Sequence, residues 1–185
     1  MAELMAPPVE TSRMDPFAPA AAALPWYVLH TRSRQEKAVS SALAARRVPH
    51  FLPLARQVRF YGKRKATVDM PLFPGYVFFR GERDEAFACD RNNRLVQILR
   101  VEDPTLLEEQ LDSVRIALAA EVPLDPCPHL VKGRRVEVRS GPMRGMKGVV
   151  EGRGRQVNRI YVQVDMLGQA VSAEIDANLL DVIEE

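Results

Sequence analysis

The sequence predicts an α+β protein of two domains: an N-terminal α/β sandwich, in which helices flank a mainly antiparallel sheet, linked to a small C-terminal β-barrel. Three observations predict this class. Helical and strand-like periodicities alternate along the first two thirds of the chain, short alternating strands fill the last third, and a proline-rich stretch separates the two parts.

The distribution of charge along the chain follows a similar division, although the formal net charge of the 185 residues is only +2. Residues 26–80 contain eleven Lys or Arg against two acids, whereas residues 81–131 contain five against eleven. Residues 132–159 contain nine against two, and residues 160–185 contain six acids and no Lys or Arg. This alternation suggests two modules, each with one end suited to a polyanion, and ordinary solvated charge is the alternative.

The chain is expected to become ordered at its first aromatic run. Residues 1–25 are rich in Pro and Ala and poor in large side chains, so we expect a disordered tail, because such a segment cannot offset the entropy of ordering. The run Trp26–His30 predicts the first strand. An amphipathic helix should follow, with Ser33 and Glu36 at capping-box spacing, and should end at Val48 before a proline.

The rest of the first domain, residues 26–121, alternates strands and helices. We expect a hairpin with a cationic tip, then a strand, a short helix, a strand and a longer helix. The segments are His50–Phe60 and Ala66–Met70 for the hairpin, Leu72–Phe79, Asp84–Asn92, Leu95–Val101 and Pro104–Glu121. This order of elements predicts helices packed on a mainly antiparallel sheet.

Residues 122–131 contain three prolines and predict a semi-rigid linker. Beyond the linker, short alternating runs are separated by turn signals, which predicts a small all-β barrel over residues 132–185. The expected strands include Val136–Val138, Gly148–Val150, Ile160–Val164 and Val171–Ile175. About fifty residues is marginal for an independent core, so this domain must be compact.

Several classes of protein are not expected from the composition. Cys89 and Cys127 are far apart and the chain has only three histidines, so neither a metal site nor a disulfide-stapled secreted fold is expected, and the cytoplasm is the expected compartment. No signal peptide or membrane-spanning stretch is apparent. The glycines of residues 141–148 lack the ending of a phosphate-binding loop, and no HExxH or GxSxG motif occurs. We therefore expect a non-enzymatic protein, without a cofactor, that acts as a monomer.

The segment Lys132–Val150 resembles a KOW motif. Gly141 and Pro142 suit a tight turn between two strands, and Gly145 and Gly148 allow positive φ or a close backbone approach where a small barrel bends. Any turn-rich β domain contains some of these glycines. The combination GPMRGMKG between two Val-rich strands is more specific.

The first domain is similar to the N-terminal (NGN) domain of the NusG family. It contains the WYVL opening at Trp26–Leu29, a basic helix after it, and the FPGY signature within Leu72–Phe78. With the KOW domain, the resemblance covers residues 25–185, and both a housekeeping NusG and an RfaH-like specialised paralogue fit it. It implies a transcription elongation factor whose N-terminal domain binds the clamp helices of the largest RNA polymerase subunit. Such a factor suppresses pausing and modulates termination or antitermination.

The residues that match the polymerase-binding patch of the family are aromatic, with one exception. They are His30, Phe73, Tyr76 and Phe78, and His30 stands where an aromatic residue is common. Strand alternation places Tyr76 and Phe78 on one face of the sheet. Burial of these two rings under a helix is the alternative.

The resemblance also implies a nucleic-acid contact by basic residues at the first strand–helix junction and at the hairpin tip, namely Arg32, Arg34, Lys63, Arg64 and Lys65. In the family these regions approach upstream DNA or the non-template strand. Phosphate contacts of this kind weaken steeply with salt. A solvated hairpin tip is the alternative.

In the KOW domain, Met166 and Leu167 match an exposed apolar pair by which the family holds the termination factor Rho or a small-subunit ribosomal protein. Closure of the barrel core by these residues is the alternative. Gln169 stands where the common pattern has Arg, which favours a specialised paralogue. The competing function is that of an RNA-binding KOW protein of the ribosome, which would be more uniformly basic and would not need the first domain.

Overall fold

The computed structural model describes residues 15–90, 92–151 and 157–184. Its strands and helices confirm the predicted α+β class with antiparallel sheets. In chain order they are β1 (Trp26–Thr31), α1 (Glu36–Ala45), β2 (His50–Phe51), β3 (Leu54–Tyr61), β4 (Arg64–Pro71), β5 (Tyr76–Arg80), α2 (Arg83–Cys89), β6 (Leu95–Arg100), α3 (Pro104–Ala119), β7 (Asp125–Cys127), β8 (Arg134–Val138), β9 (Lys147–Val150), β10 (Val157–Val164), β11 (Gln169–Asp176) and β12 (Leu180–Glu184).

The chain divides into two compact units. One combines the chain up to Leu52 with Pro74–Glu102, and the other combines Pro53–Phe73 with Asp103–Glu185. The β3–β4 hairpin and α3, which the sequence assigns to the first domain, therefore group with the barrel. The domain limits of 26–121, 122–131 and 132–185 stay a prediction.

The N-terminal unit is built on a four-stranded antiparallel sheet in the order β2-β5-β1-β6. Alternation along β1 and β5 separates two faces. One face packs with α1 and α2 around a core that contains Leu29, Val39, Leu43, Val77, Phe79 and Cys89. The opposite face contains three neighbouring cross-strand pairs, Trp26 with Arg80, Val28 with Phe78, and His30 with Tyr76.

The first helix begins at Glu36 and not at the predicted Ser33 cap. Its N-cap residue, Gln35, makes no capping bond through its side chain. The prediction of a capping box was wrong because the Glu36 carboxylate accepts a hydrogen bond from a residue distant in sequence. The helix also ends earlier than expected, at Ala45, and Arg47 adopts a positive φ of 58° that turns the chain into β2.

A half-buried histidine joins α1 to β2. The His50 ring lies between two hydrogen-bond partners, because Nδ1 is 2.9 Å from the carbonyl oxygen of Val48 and Nε2 is 2.9 Å from the hydroxyl of Ser40. A carbonyl oxygen only accepts, so Nδ1 carries the proton and Nε2 accepts from Ser40. Burial lowers the pKa of His50, and the bond to Val48 opposes this effect.

Part of the predicted disordered tail is folded. Residues 1–14 lie outside the described residues, but the chain between Asp15 and Trp26 contains turns and a short 3₁₀ helix at Pro19–Ala21. Composition alone missed this order, because Pro16 and Ala21 are buried although the segment has few large side chains.

The C-terminal unit contains an antiparallel barrel-like sheet with strand order β12-β8-β9-β10-β11-β7. Its core is aliphatic and includes Val136, Val138, Met146, Ile160, Val162, Val164, Val171 and Ile175. The predicted linker contributes to this sheet, because Asp125–Cys127 forms β7 and pairs with Ala170–Ser172 of β11. The local proline pattern did not indicate this pairing, which depends on the free edge of β11.

Candidate functional site

The turn that precedes β5 is held from two sides. The backbone N–H of Gly75 donates to the Glu36 carboxylate at 2.7 Å, and the carbonyl of Gly75 accepts from the backbone N–H of Thr31 at 2.7 Å. Gly75 has φ of +88°, which favours glycine, and Glu36 is buried. A buried carboxylate that accepts a backbone N–H makes a strong hydrogen bond. The turn therefore fixes where Tyr76 enters the strand.

His30 and Tyr76 form a stacked pair at the end of the β1–β5 ladder. They are opposite each other in register, with ring centroids 5.0 Å apart and planes 18° apart. Both side chains are half-buried, so each ring retains a surface for a partner. A Cβ at position 75 would lie 3.6 Å from Cδ2 of His30, which is an ordinary van der Waals contact, so the positive φ and not lack of space favours glycine here.

Phe73 and Phe78, the other two residues predicted to contact the polymerase, are buried. Phe78 lies on the same sheet face as Tyr76, as alternation predicts, but its exposed fraction is 0% and its ring packs 6.4 Å from that of Phe51. Phe73 is 1% exposed and belongs to the other compact unit. In this conformation neither ring offers a surface to a partner, which the local pattern of aromatic residues does not reveal.

The five predicted nucleic-acid residues are all exposed, but they fall into two groups. Arg32 and Arg34 follow β1 in the N-terminal unit, and Arg34 has a positive φ of 63°. In the other unit, Lys63 lies with Gly62 in the two-residue turn of the β3–β4 hairpin, where Gly62 has φ of +63°, and Arg64 and Lys65 begin β4. The hairpin tip is thus a compact cationic group.

The same hairpin presents an exposed aromatic residue that the sequence interpretation missed. Phe60 is 73% exposed and lies opposite Lys65 in register, and the exposed Val58 lies two positions earlier on the same face. The alternation of apolar Val58 and Phe60 with Arg59 was the signal available in the sequence. An exposed ring beside a cation suits a nucleobase stacked next to its phosphate.

The glycines of the KOW-like segment have distinct structural roles. Gly141 and Gly145 have φ of +85° and +84°, and Gly145 donates to the carbonyl of Val138 at 2.8 Å, which closes the loop between β8 and β9. A Cβ at Gly148 would lie 2.7 Å from both the carbonyl oxygen of Tyr161 and Cγ1 of Ile160. Close strand packing therefore excludes a side chain at position 148.

The apolar pair of the barrel lies in a short 3₁₀ helix, Asp165–Leu167, which ends at Gly168 with φ of +63°. Met166 is 37% exposed, whereas Leu167 is half-buried. Met166 is therefore the more exposed member of the pair. Pro142, the other KOW residue singled out in the sequence, is exposed in the β8–β9 loop.

Helix α3 is joined to the barrel by polar contacts that the sequence did not predict. The Glu109 carboxylate lies 3.5 Å from the Arg135 guanidinium and 3.4 Å from the Lys147 ammonium. The hydroxyl of Ser113 accepts the backbone N–H of Lys147 at 3.1 Å, and Gln110 accepts that of Asp165 at 3.2 Å. A groove of about 540 Å³ remains between the helix and the barrel.

Within residues 15–90, 92–151 and 157–184, no group of three or more His, Cys, Asp or Glu side chains could hold a metal ion. None of the helices described in these ranges is long and apolar enough to cross a membrane.

Comparisons with known proteins found a match to one family model and similarity to solved structures. A family model described as "Transcription termination factor nusG" matches residues 24–115. Among solved structures, the one described as "Domain interaction in Thermotoga maritima NusG" is 22% identical, with 89% of this chain and 99% of that chain covered and a TM-score of 0.44. The "MjSpt4:Spt5 complex conformation B" is 15% identical over 86% of this chain and 97% of that chain, with a TM-score of 0.28. No curated protein matches significantly.

Proposed function

The chain belongs to the NusG family through residues 24–115, and from that membership we propose that it is an elongation factor that binds RNA polymerase through its N-terminal domain. Proteins of this family are non-enzymatic transcription factors. A factor of this kind acts by binding one state of its target more tightly than another, and it shifts the equilibrium by the ratio of the two affinities.

The observation that supports the polymerase contact is the His30–Tyr76 stack. It lies at the end of a sheet face opposite α1 and α2, and the Glu36–Gly75 bond holds the adjoining turn. Two half-exposed rings on a rigid strand pair supply apolar area at little cost in side-chain entropy. We propose that they contact the clamp helices of the largest subunit, and that Phe73 and Phe78 contribute if a change of conformation uncovers them.

The cationic groups support a contact with nucleic acid. Arg32 and Arg34 on one unit and Lys63–Lys65 on the other are exposed, and each suits a phosphate of upstream or non-template DNA. A clamp held closed and a DNA strand held in place both favour the elongating state over the paused one. Suppression of pausing is the proposed consequence.

The barrel supports a recruiting role. Met166 is exposed in the turn before Gly168, next to the half-buried Leu167, and an exposed apolar side chain of this kind can anchor a protein partner. We propose Rho or a small-subunit ribosomal protein as that partner. The choice between them decides whether the factor promotes termination or antitermination.

The test is single-round transcription with purified RNA polymerase. The protein should shorten a defined pause, and Tyr76→Ala should remove most of the effect while the far-ultraviolet circular dichroism spectrum stays unchanged. Phe87→Ala is a matched control, because Phe87 is an exposed aromatic on α2 of the same unit. Equal pause durations with and without the wild-type protein, on several templates, would reject the function.

A further inference from the structure

The residues just before β1 form a folded strap, defined here as Asp15–Pro25, in the N-terminal unit. The Asp15 carboxylate accepts the backbone N–H of Phe17 at 2.9 Å, and its carbonyl accepts that of Ala18 at 3.1 Å. The strap ends in a bond from the N–H of Gly81 to the carbonyl of Pro25 at 3.1 Å. Its conformation is therefore set at both ends.

The strap places one aromatic ring and one carbonyl into a formed site. The ring of Phe17 lies 5.5 Å from that of Trp26 and 5.4 Å, edge-on, from that of Phe51. The carbonyl of Pro16 accepts a hydrogen bond from Nη1 of Arg80 at 3.1 Å. The guanidinium of Arg80 also stacks over Trp26 at 4.8 Å.

Arg80 is the unusual member of this site, because its exposed fraction is only 6%. An arginine is seldom buried to this degree, and its guanidinium requires polar partners when it is. One of those partners comes from the strap. A guanidinium beside two aromatic walls is a suitable receptor for a carbonyl or carboxylate that precedes an aromatic side chain.

We infer that Arg80, Trp26 and Phe51 form a binding site for an extended peptide with an aromatic side chain next to a carbonyl group, and that the strap occupies this site through Pro16 and Phe17 as an exchangeable ligand. The composition of the strap supports exchange. Between Phe17 and Trp26 it offers mainly alanine and proline, with no aromatic or charged side chain, and Ala21 is the one buried residue of that stretch. Release of Phe17 would uncover the site without breaking the sheet.

The site also bears on the proposed polymerase contact, and this part rests on the proposed function. By register, Trp26 and Arg80 lie on the same sheet face as His30 and Tyr76. The strap therefore covers one end of that face. A partner segment of the same chemistry would bind more tightly after the strap has left.

The chain offers a direct reporter of strap opening, because Trp26 is its single tryptophan and is 2% exposed. In Phe17→Ala the emission of Trp26 should shift to longer wavelength and its quenching by acrylamide should rise. Phe87→Ala should leave both unchanged. Thermal melting and circular dichroism check that Phe17→Ala is folded, and Phe17→Leu should give an intermediate result.

The decisive measurement uses a synthetic peptide with the sequence of residues 14–25. Added to the folded Phe17→Ala chain, it should restore the blue-shifted emission with saturable binding, and the same peptide with alanine in place of Phe17 should not. The wild-type chain should bind the peptide at least about tenfold more weakly, as expected for a site occupied about nine-tenths of the time. Failure of the Phe17→Ala chain to bind, or equal binding by both chains, overturns the peptide site.

A polymerase-binding assay completes the test. Phe17→Ala should bind RNA polymerase up to about tenfold more tightly than the wild type, which is the factor expected for a site occupied about nine-tenths of the time. Unchanged or weaker binding overturns the role of the strap as a gate. If neither chain binds the polymerase, the proposed function fails, whereas the peptide experiment still decides on the site itself.

Discussion

Glu36 and Gly75 are 39 positions apart in sequence, yet the carboxylate of one accepts the backbone N–H of the other at 2.7 Å. The bond joins the first residue of α1 to the turn before β5. Helix α1 packs on the core face of the N-terminal sheet. The bond therefore connects this helix with the turn directly before Tyr76, one of the two stacked residues. Stability and binding should both depend on it.

We expect Glu36→Ala to lower the free energy of unfolding by about 1.5–3 kcal/mol, because it leaves the Gly75 N–H without its charged acceptor. Glu36→Gln keeps an acceptor oxygen, so its free energy of unfolding should fall less than that of Glu36→Ala. Urea titration of each variant measures the change. Polymerase affinity should fall in the same order, and wild-type stability in both variants would show that the bond contributes nothing.

Two glycines of the barrel should respond differently to alanine. Gly148→Ala forces a Cβ to 2.7 Å from a backbone carbonyl, so we expect a loss of about 3 kcal/mol, near the upper end for overpacking. Gly168→Ala meets no atom within 4 Å and is penalised only for its φ of +63°, by about 1 kcal/mol. Denaturant midpoints of the two variants test this ranking. A larger loss of stability in Gly168→Ala than in Gly148→Ala would contradict it.

The stability of the N-terminal unit should depend on the protonation of His50. Burial lowers the pKa of His50 in the folded state below its ordinary value of 6.5, so the unfolded chain binds this proton more readily. The contribution of His50 to the free energy of unfolding is therefore fully present above pH 6.5. It declines as the pH falls from that value toward the pKa of His50 in the folded state. Urea unfolding between pH 8 and pH 5 should show the decline.

A variant isolates this effect from the other histidines. In His50→Gln the amide can still bond to Ser40 but does not titrate. The difference in free energy of unfolding between the wild type and this variant should therefore become smaller as the pH falls. A constant difference between the two proteins at every pH would exclude His50 as the source of the change. The measurement needs no partner.

The hairpin should bind nucleic acid with a salt dependence set by its tip. Replacing Lys63, Arg64 and Lys65 together with Gln should reduce the slope of log affinity against log salt by about 2–3, since each contact contributes about 0.7–0.9. Phe60→Ser should weaken binding to single-stranded DNA by about tenfold and leave the slope unchanged, because stacking releases no counterions. A changed slope in Phe60→Ser would contradict this separation.

Local patterns were sufficient for the main elements and insufficient for the contacts between them. The aromatic run at Trp26 predicted β1, and the turn residues around Gly62 predicted the hairpin, because both depend on neighbours in sequence. Ser33 and Glu36 have the spacing of a capping box, yet Glu36 bonds to a distant turn. No window of a few residues contains that information.

The surface was harder to predict than the elements. Alternation placed Phe78 on the correct face, but its full burial depends on residues outside β5. The alanine-rich composition of the strap gave no indication that the ring of Phe17 anchors it. The prolines of the predicted linker gave no indication that part of it pairs as a short strand. In each case one side chain or one free strand edge determined the local structure, although the average composition of the segment indicated something else.

The pairing of β12 with β8 makes the two halves of the protein mature at different times during synthesis. The four-stranded sheet has all of its strands once Arg100 has been made, whereas the barrel sheet lacks β12, the outer partner of β8, until Leu180–Glu184 has been made. Domains generally fold as units in the order of their translation. A nascent chain stalled between these points should therefore expose a formed aromatic sheet while its barrel is still open, and should engage the polymerase before it can recruit anything else.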